Sequence, residues 1–433
     1  MRLNWAGNVR FSTDRLLVPR SVDELCALLS GSGSGSGAGG RPPGRLEGRL
    51  HCLGTGHSFS DVADAEGTQI SVAQLPHRIE VDAAVPAVTV SAGLRWGDLG
   101  PVLHGAGFAL HTLGSLPHIS VAGSCATGTH GSGERARCLA AAVRELELVT
   151  ASGEVTTVRR GDPDFAGHVV ALGALGVVTA VTLDVEPTYD VRQTVFERLP
   201  WEVAIDQLDA VLGCADSVSL FTTWRGDAVE QVWVKQRTPP GDPGKPVDLA
   251  WTGAVPADGP RHPIPGISAQ WCTEQLGRPG PWYARLPHFR LEFTPSSGEE
   301  LQTEYLVPRE LAAQALTAVR ELRERVSPLL QITELRTVAA DDLWLSPAYR
   351  RDALAVHFTW VPDTAAVLPV VAEVERALRP FGARPHWGKV FTTGAEELSG
   401  LYPRLPDFRA LVARLDPEGR FRNAFLERTV LTG

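Results

Sequence analysis

The sequence predicts an α+β protein with two domains. Its 433 residues are more than one hydrophobic core usually organises. Up to about residue 187, short strands alternate with glycine-rich turns, whereas longer alternating strands and two amphipathic helices follow from residue 188. Strands with helices between or after them favour an antiparallel sheet that carries helices on one face. We therefore expect a first domain at 1–187 and a second at 188–433, with residues 400–433 packing back on the first.

Hydrophobic periodicity predicts the elements of each domain. In the first domain the predicted strands are 49–53, 68–72, 87–92, 143–150, 154–158 and 177–185, and the predicted helices are 21–30 and 96–106. In the second domain the predicted strands are 217–224, 230–237, 301–307, 329–338 and 353–360, and the predicted helices are 309–326 and 364–379. The Pro/Gly-rich segment 240–285 is expected to be irregular.

Residues 31–44 are a Gly/Ser-rich insertion that predicts a flexible surface loop. The insertion contains a G-x-G-x-x-G pattern formed by Gly35, Gly37 and Gly40. A dinucleotide fingerprint must follow a strand and begin a helix. Neither is predicted here, so we do not interpret the pattern as a nucleotide site.

Composition excludes several classes of function. A net charge of −9 is opposite to that of a nucleic-acid-binding surface, and no apolar run approaches the roughly 18 residues of a membrane span. The N-terminus has no recognisable signal peptide and the six cysteines form no Cys-x-x-Cys pair, so we expect a cytoplasmic protein with reduced thiols and no metal site. Only three of the 41 basic residues are lysines, at positions 235, 245 and 389, which points weakly to a need for lysine chemistry there.

The first motif is the turn Gly54-Thr55-Gly56-His57-Ser58, directly after a predicted strand. Glycines at the end of a strand let backbone N–H groups close on a phosphate and form an anion-binding concavity. An ordinary glycine turn with a surface histidine is the alternative.

The second motif is the tract 115–133, which is rich in Ser, Thr and Gly and has no acidic residue. Such a composition predicts neither a good helix nor a central strand. Its small residues allow close backbone approach, and its hydroxyl and N–H groups can pair with a large polar ligand. The alternative is a disordered linker, but the interleaved Leu116, Ile119 and Val121 argue against it, because linkers lack apolar residues.

The third motif is a set of polar residues on strands of the second domain. Glu334 and Arg336 are two positions apart and therefore point to one face of a strand. His357 and Thr359 share one face of the strand 353–360, whereas its alternate positions are apolar. Lys389 lies in a third segment, 385–391. We expect one polar sheet face that lines a cleft, and a solvated face with ion pairs is the alternative.

These motifs together resemble the alditol oxidases, which are bacterial xylitol and sorbitol oxidases of the vanillyl-alcohol-oxidase-type flavoprotein family; sugar-1,4-lactone oxidases are related to them. The resemblance covers nearly the whole chain. It rests on the segments 4–8, 54–58, 115–133, 175–178, 334–336, 357–360, 386–389 and 416–425.

The resemblance implies a PCMH-type FAD-binding first domain and a second domain that caps the flavin. It also implies that His57 is bonded covalently to the 8α-methyl group of the flavin. The other contacts that it implies with FAD are Gly54, Thr55, Gly56, Ser58, Ser115, Ser120, Gly123, Thr127, Gly128, Thr129, His130, Val177 and Val178. A small residue at Gly114 would leave O2 a path to the flavin, with a simple turn glycine as the alternative.

The implied substrate lies between the flavin and the polar sheet face, in contact with Ser115, Glu334, Arg336, Thr359 and Lys389. Oxidation of an alcohol removes a proton from oxygen and a hydride from carbon, and the flavin accepts the hydride. We expect Lys389 and Arg336 to stabilise the developing negative charge and His357 to accept the proton.

The expected function is therefore oxidation of the terminal CH–OH group of a polyol, with O2 as electron acceptor and H2O2 as product. The partners are a small polyol and O2, with no nucleic acid or membrane, and the chain is expected to be a monomer or a weak homo-oligomer. The nearest alternative is a sugar-1,4-lactone oxidase or dehydrogenase. A flavin- or sugar-binding module without turnover and a metal-dependent hydrolase fit the motifs less well.

Overall fold

The computed structural model describes residues 2–31, 46, 48–293 and 299–432, so most of the Gly/Ser-rich insertion, with its three glycines, lies outside the described residues. The first half of the chain contains β1 (Leu16–Leu17), α1 (Val22–Ser30), β2 (Leu50–Cys52), β3 (Thr68–Ile70), β4 (Ile79–Asp82), β5 (Ala87–Ser91), α2 (Trp96–Gly105), β6 (Phe108–Ala109), α3 (Val121–Ala126), β7 (Val143–Val149), β8 (Val155–Arg159), α4 (Phe165–Val169), β9 (Val177–Asp184) and β10 (Glu186–Pro187). The six strands and two helices expected in this half are present, with ends that differ by one or two residues.

Two main sheets organise the first half, and β6 and β10 form a separate antiparallel pair. Among the described strands, three pair in parallel in the order β1-β3-β2, and five pair in antiparallel fashion in the order β4-β5-β9-β7-β8. The turn 54–58 leaves the end of β2, so the small parallel sheet places this motif. The tract 115–133 reaches the large sheet of the second half of the chain, where the N–H of Gly133 donates to the carbonyl of Thr337 at 3.0 Å.

The second half contains β11 (Asp190–Pro200), α5 (Trp201–Asp206), α6 (Leu208–Leu212), β12 (Ser217–Thr222), β13 (Ala228–Thr238), β14 (Val255–Pro256), β15 (Gly280–Pro281), β16 (Leu301–Pro308), α7 (Ala312–Glu321), α8 (Arg323–Val326), β17 (Leu330–Val338), β18 (Ala353–Trp360), α9 (Thr364–Leu378), β19 (Arg384–Pro385), α10 (Ala395–Leu401), α11 (Leu405–Leu415) and α12 (Ala424–Leu426). Nine described strands of this half form one antiparallel sheet in the order β14-β11-β13-β12-β17-β18-β16-β19, with β15 paired to β11.

The two faces of the large sheet differ in character, as the alternation along β18 predicts. Val356 and Phe358 are fully buried in a hydrophobic cluster that also contains Leu316 of α7 and Val371 of α9. The helices therefore cover this face, which confirms the predicted α+β class with an antiparallel sheet and helices on one side. The opposite face carries the polar residues of β17 and β18 and turns towards the first half of the chain.

The C-terminal segment returns to the first half. Phe408 of α11 and Phe425 of α12 lie in the same hydrophobic cluster as Val88 of β5 and Leu146 of β7. None of the helices formed by the described residues has both the length and the apolar character that a membrane crossing requires.

Two expectations about local structure are wrong, and one strand was missed. Strand β11 was not predicted, because charged residues such as Arg192 and Glu197 interrupt its alternation. The predicted helix 309–326 is broken at Leu322, whose ψ of 6° lies outside the α-helical range. The tract 115–133 contains the short helix α3 (Val121–Ala126). Small side chains permit this helix because it packs closely on other backbone, which compensates for its poor intrinsic propensity.

Candidate active site

A cavity of about 570 Å³ lies between the two halves of the chain, within the size range of sites that bind small molecules. The predicted site residues that line it are Gly54, Thr55, Gly56, His57, Ser58, Gly114, Ser115, Ser120, Gly123, Thr127, Thr129, His130, Val177, Val178, Glu334, Arg336, His357, Thr359 and Lys389. Gly128 is the exception among the predicted residues, all of which are described. Its φ is +72° and an added Cβ would lie 3.1 Å from the ring of Pro347, so Gly128 serves the turn rather than the cavity wall.

Two hydrogen bonds join the turn that carries His57 to the turn that carries Lys389. The N–H of Phe59 donates to the carbonyl of Gly388 at 2.7 Å. The hydroxyl of Ser60 donates to the carbonyl of Trp387 at 2.6 Å. Lys389 was expected on a strand, but β19 ends at Pro385 and residues 386–389 form a turn. This turn, and not sheet alternation, brings Lys389 to the cavity.

Residues of the N-terminal segment pack against His57 and its turn. The ring of Trp5 stacks on the imidazole with centroids 5.1 Å apart and an interplanar angle of 18°. The side-chain amides of Asn4 and Asn8 donate to the carbonyls of Ser58 and Phe59 at 2.9 and 2.8 Å. Burial, together with nearby His118 and Lys389, lowers the pKa of His57 to about 4, so its imidazole is neutral at neutral pH.

The polar atoms of the His57 ring are not all paired. Its Nδ1 atom is buried and has no hydrogen-bond partner among the residues that the structure describes. Buried polar nitrogens normally have a partner. This nitrogen therefore fits a bound group that occupies the cavity.

Three glycines on the cavity wall, Gly54, Gly93 and Gly123, form what we call the glycine cradle. An added Cβ on Gly54 or on Gly123 would lie 2.7 Å from the hydroxyl of Ser120, and the two glycines face each other at the edge of α3. Gly93 permits a second close approach, since its Cβ would lie 2.6 Å from the carbonyl oxygen of Val72. Backbone groups thus lie along the cavity wall without intervening side chains, which is what a long polar ligand such as a dinucleotide needs.

The polar sheet face presents a row of titratable groups. Glu334 of β17 and Glu304 of β16 are both register partners of His357 on β18, so the three side chains lie side by side on one face. Arg336 lies two residues further along β17. Its guanidinium donates to Glu304 Oε1 at 2.9 Å and to the hydroxyl of Ser115 at 3.1 Å. The guanidinium therefore joins the sheet face to the tract 115–133.

Glu304 lies at the centre of this row. His130 Nε2 is 3.3 Å from Glu304 Oε1, and His357 Nδ1 is 3.7 Å from Oε2. Burial raises the pKa of this carboxyl group, but His130 and the Arg336 guanidinium outweigh burial and hold the pKa well below its usual range. Glu304 is therefore an anion at neutral pH.

The neighbouring charges stabilise each other in the same way. Burial raises the pKa of Glu334, but Arg336 and His288 lower it further, so the net shift is downward. Burial lowers the pKa of Arg336, but Glu334 and Glu304 raise it more. Burial lowers the pKa of His357 although Glu304 opposes the shift, so His357 is neutral. A neutral imidazole among paired charges is a candidate proton acceptor.

Lys389 lies on the cavity wall beside this row. Its ammonium donates to the amide oxygen of Gln302 and lies 5.1 Å from the centre of the Phe59 ring. Burial lowers the pKa of Lys389, whereas Glu304 raises it. A buried ammonium with a lowered pKa can stabilise negative charge at a bound oxygen.

Several residues of the site were missed at the level of sequence. Gln302 and Glu304 lie two positions apart on β16, as Glu334 and Arg336 do on β17, so the same alternation rule could have revealed them. Gly93, His288 and His386 also line the cavity, but they lie in turns and irregular segments with no periodic signal. Among the described residues, no three His, Cys, Asp or Glu side chains converge as metal ligands.

Comparisons with known proteins identify the family. A model of the FAD-binding domain matches residues 45–159, and a model of D-arabinono-1,4-lactone oxidase matches residues 298–429. An alditol oxidase from Streptomyces sp. is 49% identical over 433 residues, which cover 99% of each chain. The chain belongs to the alditol oxidase family. An L-gulono-1,4-lactone dehydrogenase from Mycobacterium tuberculosis is 30% identical and the match covers 99% of this chain and 98% of that protein.

The fold agrees with this membership. A cholesterol oxidase from B. sterolicum matches with a TM-score of 0.76 at 14% identity over 99% of this chain and 96% of that structure, which confirms the predicted fold type. In this alditol oxidase family member the FAD-binding domain contains both the turn 54–58 and the tract 115–133, so the predicted cofactor FAD is confirmed. The unpaired His57 nitrogen and the glycine cradle fit this group.

The close approach at Gly93 generates a prediction about cofactor loading. We expect Gly93→Ala to lower the amount of bound FAD, because the added methyl would push the segment at Val72 out of the cavity wall. The ratio of flavin absorbance to protein absorbance in purified protein measures this loading. Gly105→Ala is the matched control, since no atom lies within 4 Å of its added Cβ. Equal loading of the two variants would contradict the predicted role of Gly93.

Proposed function

We propose that this protein is an FAD-dependent oxidase that oxidises the terminal CH–OH group of a small polyol, such as xylitol or sorbitol, to the aldose. The observation that carries the proposal is that one cavity is lined by the FAD-binding elements and by a row of charged residues on the sheet face. FAD, when bound, would supply the hydride acceptor and would be reoxidised by O2 to give H2O2. The remaining steps belong to side chains of this chain.

The proposed tether of FAD is His57. A neutral imidazole with a buried, unpaired Nδ1 atom has a lone pair available for a bond to the cofactor. The stacked Trp5 and the two asparagines behind the turn hold the ring in one orientation. Gly54, Thr55, Gly56 and Ser58 of the same turn are the proposed partners of the cofactor around this tether, together with the tract residues on the cavity wall.

The proposed polyol subsite consists of Ser115, Glu334 and Thr359. A polyol brings several hydroxyl groups, and each needs a donor or acceptor once it leaves water. Glu334 is an acceptor, and the two hydroxyl side chains can both donate and accept. Because Arg336 donates to Ser115, the serine hydroxyl proton is directed away from the guanidinium and is available to a ligand.

The proposed chemistry uses Lys389, Arg336 and His357. A cation beside the reacting oxygen stabilises its developing negative charge, and Lys389 and Arg336 supply two. His357 Nδ1 lies 3.7 Å from the carboxylate of Glu304 and is the proposed position of the ring proton, which leaves Nε2 unprotonated at 3.3 Å from the hydroxyl of Thr359. This tautomer is the one that can accept the proton of a carbinol.

Gly114 is the proposed entrance for O2. It lines the cavity, and an added Cβ would meet the methyl group of Thr129 at 3.6 Å, which is an ordinary contact. A side chain larger than methyl would therefore begin to fill the cavity at this position. The small residue is consistent with an oxidase and with O2 as the second partner of the enzyme.

A lactone oxidoreductase is the second candidate, because the match to the D-arabinono-1,4-lactone oxidase model covers β17, β18 and Lys389. Peroxide formation with xylitol, sorbitol and L-gulono-1,4-lactone distinguishes the two. We expect the larger kcat/KM for a polyol, because the site presents acceptors and donors for several hydroxyl groups. A larger kcat/KM for the lactone would replace the polyol proposal with the second candidate.

Removal of the ammonium at position 389 tests the proposed chemistry. Lys389→Ala should lower turnover by about 100-fold or more, the magnitude typical of a lost group that stabilises charge in a transition state. FAD content should stay at the parent level, since Lys389 is not in the FAD-binding domain. Lys245→Ala is the control, because this lysine is exposed. Turnover close to that of the parent would show that Lys389 has no chemical role.

The tether at His57 predicts how FAD is released. After denaturation in acid and filtration, the parent and the His77→Ala control should keep their flavin with the protein, because His77 is an exposed histidine outside the cavity. His57→Ala should release its flavin into the filtrate. Absorbance of the filtrate measures the free flavin. Free flavin from the parent itself would mean that no covalent bond exists.

A further inference from the structure

Lys235 of β13 is a second buried lysine that the proposed chemistry does not use. Only 2% of its surface is exposed. In the described structure its ammonium reaches three acceptors, which are the carbonyl oxygens of Leu286 and Pro287 and, at 3.2 Å, the Nδ1 atom of His288. An ammonium has three donors and no lone pair, so the three contacts use all of them.

His288 connects this lysine to the proposed polyol subsite. The other nitrogen of its ring, Nε2, is 2.8 Å from Glu334 Oε1, and both side chains are buried. Burial lowers the pKa of His288 to about 4, so the ring is neutral and carries one proton. The position of that proton decides whether the ring can donate to Glu334.

Two neighbours act on this position: the Glu334 carboxylate accepts at Nε2, and the Lys235 ammonium donates at Nδ1. Because an ammonium only donates, Nδ1 of His288 must accept and the ring proton must lie on Nε2, where it points at the carboxylate. We propose that Lys235 is a positioning residue for the polyol subsite: its ammonium fixes the tautomer of His288, which donates to Glu334 and holds that carboxylate in its binding orientation. This inference rests on the proposed function, since it assigns a purpose to the orientation of Glu334.

The second carboxylate oxygen of Glu334, Oε2, makes a longer contact than Oε1. Oε2 is 3.5 Å from the nearest guanidinium nitrogen of Arg336, whereas Oε1 makes the shorter contact with His288. Arg336 also divides its donors between Glu304 and Ser115. The imidazole therefore supplies the short directional hydrogen bond that sets the rotation of the Glu334 carboxylate.

The arrangement changes when Lys235 loses its proton. A neutral amine has two N–H donors for three acceptors and can turn its lone pair to His288. It then no longer forces the ring proton onto Nε2, and the hydrogen bond to Glu334 is weakened as the Nδ1–H form gains population. Burial lowers the pKa of Lys235 to about 7. The charged and titratable groups that act on Lys235 are Glu334 and Cys272, which raise the pKa, and Arg336, which lowers it.

The tautomer can be measured without any substrate. In FAD-loaded protein with nitrogen-15-labelled histidine, the His288 signals are assigned by their loss in His288→Gln. About one pH unit below the Lys235 pKa we expect the Nε2–H tautomer, and about one unit above it a shift towards Nδ1–H. An Nδ1–H tautomer at the lower pH would overturn the proposal. The tautomer itself is read from the unmodified protein, and a variant is needed only for the assignment of the signals.

The role in binding is measured by KM for xylitol at the same two pH values. KM of the parent should rise on the order of tenfold with pH as the hydrogen bond to Glu334 weakens, and kcat should change much less, because the interaction positions a binding group. Lys235→Met should have the higher KM at both pH values, while Lys245→Met should behave as the parent. The same rise of KM with pH in Lys235→Met would assign the titration to another group and refute the proposal.

Failure of the proposed function gives a different result. If no polyol supports peroxide formation by the parent, the oxidase proposal is wrong, and the tautomer measurement still decides whether Lys235 fixes His288. If xylitol is oxidised but KM is independent of both pH and Lys235, the oxidase proposal stands and the positioning role falls.

Discussion

The hydrogen bonds between the turns at 59–60 and 387–388 are the constraint on which the site depends. The two residues of the second hydrogen bond, Ser60 and Trp387, are 327 positions apart in the chain. The first turn lies in the FAD-binding domain, and the second lies in the segment that carries Lys389. The N–H of Phe59 and the hydroxyl of Ser60 fix their distance, so His57 and Lys389 line one cavity. The indole N–H of Trp387 donates to the carbonyl of Leu345 at 2.7 Å, and this hydrogen bond anchors the second turn.

The buried charges impose the second constraint. Two carboxylates, Glu304 and Glu334, lie close to the cations of Arg336 and Lys389, and an isolated charge at this depth would cost several kcal/mol. The cross-strand register offsets this cost by pairing the charges, since it places both carboxylates beside His357 and within reach of one guanidinium. The same pairing that makes the cluster tolerable leaves His357 neutral, and a neutral imidazole is what proton abstraction requires.

Local periodicity in the sequence predicted much of this arrangement. The features that it missed depend on contacts between residues far apart in the chain. The alternation along β18 correctly divided its core face from its polar face. The glycine-rich turn predicted an anion-binding site, and the FAD-binding domain followed from the resemblance to the alditol oxidases. Strand β11 escaped because charged residues interrupt its alternation, and Lys389 was assigned to a strand although a turn presents it. The scarcity of lysine pointed weakly and equally to Lys235, Lys245 and Lys389. His288, the partner of Lys235, lies in an irregular segment that only tertiary packing brings to Glu334.

The central claim is that FAD and the charged sheet face share one cavity, so that a carbinol held by Glu334, Arg336 and Lys389 can reduce the cofactor. The visible spectrum of the purified protein under anaerobic conditions, before and after addition of xylitol, tests this claim most directly. The account predicts an oxidised flavin spectrum that bleaches on addition of xylitol and returns when air is admitted. A flavin spectrum that xylitol leaves unchanged, or a colourless protein that takes up no FAD, would contradict it.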